Sequence, residues 1–330
     1  MTRLSALHPL ARALQPFLAA GAGAPGVQEV TLKRLRASRP VFRFATPGGQ
    51  AAVGKFFNGQ PARVSADLAL LTEYQNYPQA ETFGLIPGRH LPRLWGRRPR
   101  LGLGLLLEAV EGPDLDHFLH QACTAGDLGP LCAGLTRLAH LLAFFHTRPV
   151  AGAPVEVTPA LAYLEKLRTQ LGGQGLLTSE EDAALVREAV TWRQISAGFP
   201  DGAVLVHGDA TPTNFLFPDG RAVAVDLERL RVADRLFDLS WIAGEIRHAW
   251  GWRAGDLKGG EVAIGHFFAA YLRAVDASPE AARRLFALNP FYMALAELRI
   301  CRNDYLSWPY RRRLVAEALE CLAGGRRMTA

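Results

Sequence analysis

Between residues 204 and 228 the chain reads V-L-V-H-G-D-A-T-P-T-N-F-L-F-P-D-G-R-A-V-A-V-D-L-E, and no other stretch limits its fold and chemistry as tightly. Residues 203 to 207, 215 to 217 and 222 to 225 are short apolar runs. The last two are parted by Pro218-Asp219-Gly220, a turn-forming triplet. The pattern predicts a strand, a polar loop and a tight hairpin, with Asp209 in the loop, Asn214 at the hairpin's entry and Asp226 at the exit of its second strand. Such a hairpin returns its ends to each other, so Asn214 and Asp226 are expected close in space. A carboxylate and an amide oxygen are hard donors of the type Mg²⁺ accepts, with water and phosphate oxygens completing the shell. Asp and Asn are also ordinary turn formers. What favours chemistry is the apolar setting, which delivers several polar groups to one edge.

The motif H-G-D-x-x-x-x-N followed by D-x-E resembles that of the aminoglycoside phosphotransferase and choline kinase family, relatives of the protein kinases. The resemblance runs from about Val27 to the helices beyond Asp238. It implies an α+β, two-lobed protein-kinase-like fold, with a small antiparallel-sheet lobe before a large, mostly helical one. The activity it implies is transfer of the γ-phosphoryl group of ATP or GTP to a hydroxyl of a small molecule, dependent on Mg²⁺. Position by position, Asp209 resembles the catalytic aspartate that accepts the hydroxyl proton, and Asn214 and Asp226 resemble the metal ligands. Asp238, in F-D-L-S-W, resembles an acidic residue after the metal loop and is expected to brace backbone amides of the catalytic loop. His207 is expected to brace the same loop. Glu228 is expected either to meet a second metal or the substrate, or to face water.

The first third of the chain has strand periodicity over residues 27 to 35, 40 to 45 and 51 to 57, with Thr46-Pro47-Gly48-Gly49 as a turn. The third strand, A-A-V-G-K-F-F, sets Lys55 in an apolar run. Residues 65 to 77 follow with helical spacing and carry Glu73. A buried ammonium needs a counter-ion until phosphate arrives. Within the resemblance, Lys55 and Glu73 are the pair that holds the nucleotide's phosphates. Residues 91 to 95 and 101 to 107 read as further strands, the second ending in L-L-L-E-A-V-E-G. That segment resembles the hinge between lobes, where backbone groups from Glu108 to Val110 would meet the adenine edge. Residues 1 to 110 are therefore expected to form the nucleotide-binding lobe, and 111 to 330 the helical lobe with the catalytic and metal loops.

Helices dominate after Asp114. Leu128, Leu131, Leu135, Leu138, Leu142 and Phe145 form an apolar stripe over 128 to 146, and the His140 and His146 between them are expected to be structural. Thr158-Pro159 predicts a capped helix start, and Thr178-x-x-Glu181 a capping box opening a helix to about residue 197. Further helices are expected over 236 to 250, 262 to 275, 278 to 288, 290 to 307 and 309 to 323. At the other end, residues 4 to 20 read as a short helix broken by prolines, with a flexible joint over 21 to 26.

Composition excludes several classes. Of 330 residues 49% are hydrophobic and 21% charged, an ordinary globular balance without low-complexity tracts. The 37 basic and 31 acidic residues give +6. Basic clusters at Arg34, Arg36, Arg39 and Arg43, at Arg97, Arg98 and Arg100, and at Arg311 to Arg313 are expected to be solvated. No nucleic-acid motif or aromatic interleaving accompanies them, so a nucleotide is the more economical anionic partner. Cys123, Cys132, Cys301 and Cys321 have neither zinc nor disulfide spacing, which fits a reducing cytoplasm. The apolar N-terminal stretch is interrupted by His8, Pro9, Arg12 and Pro16, a poor signal-peptide core. No run approaches the roughly 18 apolar residues of a membrane span.

Two departures from the family pattern bear on activity. The segment R-L-R-A-S-R-P at 34 to 40 holds no glycine to cradle phosphate, leaving Ser38 and the arginines for that role. Thr211-Pro212-Thr213 stands where many relatives carry His and Gly. The first departure motivates an alternative, a nucleotide-binding regulatory protein without transfer activity. A protein kinase is disfavoured because no D-F-G or A-P-E segment follows Asn214. Were the acceptor cationic, Glu245, Glu297 or Asp304 could line its site; otherwise they are exposed acids on helices. No motif encodes the oligomeric state.

Overall fold

The computed structural model describes residues 2–19, 29–35, 37, 39–57, 66–98, 103–147, 150 and 152–329. The expected joint at 21 to 26, the start of the strand expected from 27, and Arg36, Ser38, Ser65 and Arg100 lie outside the described residues. The chain divides into two compact units. One comprises Met1–Gly112 and Val223–Arg229, the other Pro113–Ala222 and Leu230–Ala330.

The first unit is built on a six-stranded antiparallel sheet, β1 (Thr2–Ser5), β2 (Glu29–Leu35), β3 (Val41–Ala45), β4 (Ala51–Phe56), β5 (Leu94–Arg98) and β6 (Leu103–Glu108), in the spatial order β1-β2-β3-β4-β6-β5. Side chains of a strand alternate between faces. On one face Phe44, Ala52 and Leu106 pack under α1 (Pro9–Ala19), whose Ala11, Leu14 and Leu18 repeat at helical spacing. Lys55 belongs to the other set, with Val53, so the same alternation that buries Ala52 points Lys55 to the opposite face, where α2 (Ala66–Thr82) meets the unit. The N-terminal segment departs from the single broken helix expected over 4 to 20. Residues 2 to 5 instead form an edge strand, Thr2 opposite Leu32, and the helix runs unbroken through Pro16.

The second unit is helical. It contains α3 (Leu115–Ala125), α4 (Gly129–His146), α5 (Thr158–Gly173), α6 (Ser179–Ala197), α7 (Leu236–Ala254), α8 (Glu261–Ala274), α9 (Pro279–Cys301) and α10 (Trp308–Thr329). Strand Val204–Val206 pairs antiparallel with Arg231–Ala233. The apolar stripe of α4 is buried, Leu131, Leu135, Leu138, Leu142 and Phe145 alike, as is His146, whereas His140 is exposed. The capping box at Thr178 and Glu181 forms with both of its bonds. α5 starts as expected, but Val157 is its N-cap and Thr158 makes no capping bond.

Pro290 does not divide the helix that contains it. A proline in a helix interior costs about 3 kcal/mol. Around it Leu288, Phe291, Tyr292, Met293 and Leu295 are all buried, and burial returns about 1.5–3 kcal/mol for each such side chain. The continuous α9 therefore wins over two shorter helices. Of the arginines at 311 to 313, expected to be solvated, Arg313 is exposed whereas Arg311 and Arg312 are half-buried. Arg311 donates to the carbonyl of Cys301 at 2.6 Å, Arg312 pairs with Glu181 at 2.6 Å and Arg313 donates to the carbonyl of Gly255 at 2.9 Å, tying α10 to the ends of three other helices. Among the described residues no helix is long and apolar enough to cross a membrane.

Candidate active site

In the first unit, two carboxylates decide the state of the buried Lys55. Its Nζ bonds Glu73 Oε1 at 2.6 Å and Asp226 Oδ1 at 2.7 Å. Lys55 is 6% exposed and Glu73 fully buried, so the bridge is a charge-compensated group in a dry setting rather than a surface pair. Burial works against the ammonium, yet the two carboxylates prevail and hold the Lys55 pKa above its ordinary value. Burial pushes Glu73 upward against the pull of Lys55. Its second oxygen, Oε2, finds no hydrogen-bond partner among the described residues.

Two features place Asp226 there. Asn76, on the helix that carries Glu73, donates its Nδ2 to the carbonyl of Leu227 at 2.6 Å. Asp226 itself adopts a left-handed backbone, φ 63°, a conformation uncommon outside glycine and concentrated at functional sites. Carboxylate oxygens of Glu73, Asp226 and Glu228 all lie within 4.8 Å of one another. That all-oxygen set suits a hard divalent cation. Glu228 is not a solvated residue, since Arg39 Nη2 binds it at 2.9 Å.

In the second unit, the loop after strand Val204–Val206 is fixed from below. The amides of His207 and Gly208 donate to Asp238 Oδ2 and Oδ1 at 2.7 and 2.9 Å, the bracing expected of Asp238. Asp238 is fully buried. Burial opposes its ionisation, but bonds from His146 and the Gly208 amide outweigh it and hold its carboxyl below the usual range. Burial lowers His146, whose Nε2 lies 3.2 Å from Asp238 and whose Nδ1 lies 2.9 Å from the Tyr271 hydroxyl. A neutral imidazole here donates to the carboxylate and accepts from tyrosine. Gly208, at φ 77°, supplies the left-handed turn that frees both amides to point at Asp238.

The same loop presents Asp209 and Asn214. Asn214 ends a 3-10 turn over Pro212–Asn214, and its Nδ2 donates to the carbonyl of Asp209 at 2.9 Å. The Thr-Pro-Thr insert thus builds the turn, with Asn214 N donating to Thr211 O at 3.0 Å. The Asn214 amide nitrogen is committed to the loop, which leaves Oδ1 as the group suited to a cation. Asp209 Oδ1 lies 3.5 Å from Arg299 Nη1, and Arg299 Nη2 binds Glu245 at 2.6 Å. Sequence reasoning missed Arg299, and no local signal marks it.

A model of the phosphotransferase enzyme family matches residues 31–286. The chain belongs to that family. No curated relative matches this family member in sequence, but solved structures share its fold. A choline/ethanolamine kinase family protein from Mesorhizobium loti superposes with TM-score 0.58 at 17% identity, over 96% of this chain and 98% of that one. Choline kinase LicA from Streptococcus pneumoniae gives TM-score 0.57 at 15% identity, over 96% and 100%. ADP-bound aminoglycoside phosphotransferase APH(2'')-Ib gives 0.55 at 15% identity, over 95% and 98%. These likenesses establish a kinase-like α+β fold for this phosphotransferase family member.

The remaining expected positions are less constrained. Glu108 ends β6 and binds Arg93 through the Arg93 amide at 3.1 Å and its guanidinium at 3.3 Å. Val110 is half-buried just beyond that strand. None of the three acids proposed for a cationic acceptor sits exposed on a helix; Asp304 lies in the turn between α9 and α10. Glu245 is tied to Arg299, and Glu297 is fully buried against Arg247 at 3.1 Å; Asp304 is exposed.

Proposed function

We propose that this protein transfers the γ-phosphoryl group of ATP or GTP to a hydroxyl of a small molecule, with Mg²⁺ bound. The observation that carries the reading is Lys55, buried between Glu73 and Asp226. Such an ammonium is pre-neutralised by carboxylates that phosphate and metal can replace. Family membership supports the reaction class, and proteins of like fold include an ADP-bound aminoglycoside phosphotransferase and a choline kinase.

In this reading Asp209 orients the acceptor hydroxyl and takes its proton, a contribution of about 10²–10⁴ in rate. Lys55, held by Glu73, binds phosphate oxygens. Asp226 and Asn214 offer carboxylate and amide oxygens to the metal, and Glu228 lies near enough to Asp226 to join them. When bound, Mg²⁺ neutralises charge that spreads over the phosphoryl oxygens. Backbone groups from Glu108 to Val110 receive the adenine, within a nucleotide-binding lobe of residues 1 to 110; residues 111 to 330 supply the catalytic and metal loops. Four free cysteines fit a cytoplasmic setting. The glycine-free segment at 34 to 40 supports a second reading, a nucleotide-binding regulatory protein that transfers nothing.

An ATP-consumption screen across a metabolite and antibiotic library separates the two, with Asp209→Asn as the blank. We expect at least one hydroxyl compound to accelerate consumption in the wild type and none in the variant, with MgATP binding intact in both. Binding without turnover across the panel would favour the regulatory reading. Turnover that survives Asp209→Asn would remove Asp209 as the base.

A further inference from the structure

The geometry points to Arg299 as the residue that positions the Asp209 carboxylate for proton transfer, with Glu245 as its anchor; this rests on the assignment of Asp209 as the base. Asp209 follows Gly208 in a loop, and its backbone is well held, but backbone bracing does not fix a carboxylate's own torsions. Arg299 does. From α9 its planar fork spans two acids, Nη1 lying 3.5 Å from Asp209 Oδ1 and Nη2 2.6 Å from Glu245 Oε1. The guanidinium also lies over Trp241 at 5.8 Å from the ring centre. Trp241 and Glu245 are one turn apart on α7, so a single helix face seats the guanidinium plane and pins its far end.

A guanidinium 3.5 Å from Oδ1 draws the carboxylate toward α9 and narrows the torsions it samples. The arrangement is not simple packing. Arg299 Nε is buried and has no hydrogen-bond partner among the described residues. A side chain placed only to fill space has no reason to strand a charged donor. Glu245 offsets the cost by sharing the positive charge, so the base is oriented without being left opposite an undivided cation. Burial raises Glu245's pKa first, with Arg299 opposing.

Among the described residues, this loop is faced by Arg299 from α9, Glu245 and Asp238 from α7, Arg231 from the paired strand and His207 beside Asp209, and Asp116 reaches Glu245 from α3.

The test uses the full chain with MgATP, and water as the acceptor. Water's oxygen bonds the γ-phosphorus, the bond to the bridging oxygen of ADP breaks, and the proton leaves through Asp209 to solvent. In Arg299→Met we expect kcat to fall about 100-fold, the loss typical of a misplaced catalytic group, with little change in the KM for ATP. We expect Arg299→Lys to recover part of the loss in kcat, and Glu245→Gln to show a smaller fall in kcat, again with little change in KM. Unaltered kcat in Arg299→Met, beside an inactive Asp209→Asn, overturns the assignment of Arg299 alone. Should Arg299→Met not fold, wild-type kcat in both Arg299→Lys and Glu245→Gln overturns it equally. Wild-type protein that transfers nothing, or Asp209→Asn that transfers as well as wild type, overturns the functional reading and this inference with it.

Discussion

At Lys55 stability meets the proposed activity. Glu73 is fully buried and depends on Lys55 for compensation, so Lys55→Met strands a carboxylate in the interior. Breaking a buried pair from one side costs about 3–5 kcal/mol. Part of that returns when Glu73 takes up a proton, so the penalty is smaller at pH 5.5 than at pH 8. Lys55→Met/Glu73→Gln removes both charges and is expected to recover most of the lost stability while binding MgATP no better. Urea unfolding of the single and double variants at the two pH values reads this directly; equal stability of the two would mean Glu73 needs no counter-ion. Glu297 gives the complementary case. Burial pushes its pKa up to about 7, with Arg247 opposing. The folded chain then keeps a proton that the unfolded chain releases near its ordinary value of 4.5. Native Glu297 binds more protons across that window, so its contribution to stability falls as pH rises from 4.5 to 7 and levels off above. Glu297→Gln should flatten that slope in urea midpoints measured across the window, and an identical slope would place the titration elsewhere.

At the scale of elements, the crossing of α7 and α9 sets the spacing of Glu245 and Arg299. A Cβ added at Gly244 would lie 2.7 Å from Ala296 Cβ, too close for either helix to stay in place. Gly244→Ala is expected to destabilise by about 1–3 kcal/mol through overpacking and to lower phosphoryl transfer, because its neighbour Glu245 moves with it. Thr178→Ala is the contrast: losing the cap of α6 costs about 1 kcal/mol and leaves transfer unchanged. Thermal melts and turnover of the two variants check the pair, and a Gly244→Ala chain as stable as wild type would contradict the close crossing. The same elements show what a sequence reveals. The capping box of α6 was legible because both partners lie within four residues. The continuity of α9 through Pro290 was not, since neighbouring burial decides it. β1 was hidden because its pairing partner, around Leu32, lies a whole helix further along. Asp238 was legible from the family resemblance, whereas Arg299 reaches Asp209 from 90 positions along the chain with nothing local to announce it.

At the scale of the molecule, the stretch 204–228 is shared between the two units. Asp209 and Asn214 fall in one and Asp226 in the other, a division that strand and turn patterns cannot disclose. The chemistry proposed for these residues makes a thermodynamic demand on the whole chain. A ligand that binds only the native state raises its stability by about 2.7 kcal/mol at a hundredfold excess over Kd. For a chain of this length that corresponds to a rise in Tm of about 4 °C. MgATP is expected to produce such a shift, and MgGTP to produce it too if the donor site accepts either base. In the proposed reading the Asp226 carboxylate carries the same sign of charge as the phosphates, and ATP alone lacks the ion that reconciles them. ATP with EDTA should therefore stabilise less than MgATP. Asp226→Asn weakens the metal's share and should shrink the difference between the two conditions while leaving the fold intact, since Lys55 keeps Glu73. Equal shifts with and without Mg²⁺ in the wild type would take the metal out of the mechanism, and an undiminished difference in Asp226→Asn would take Asp226 out of the metal's coordination.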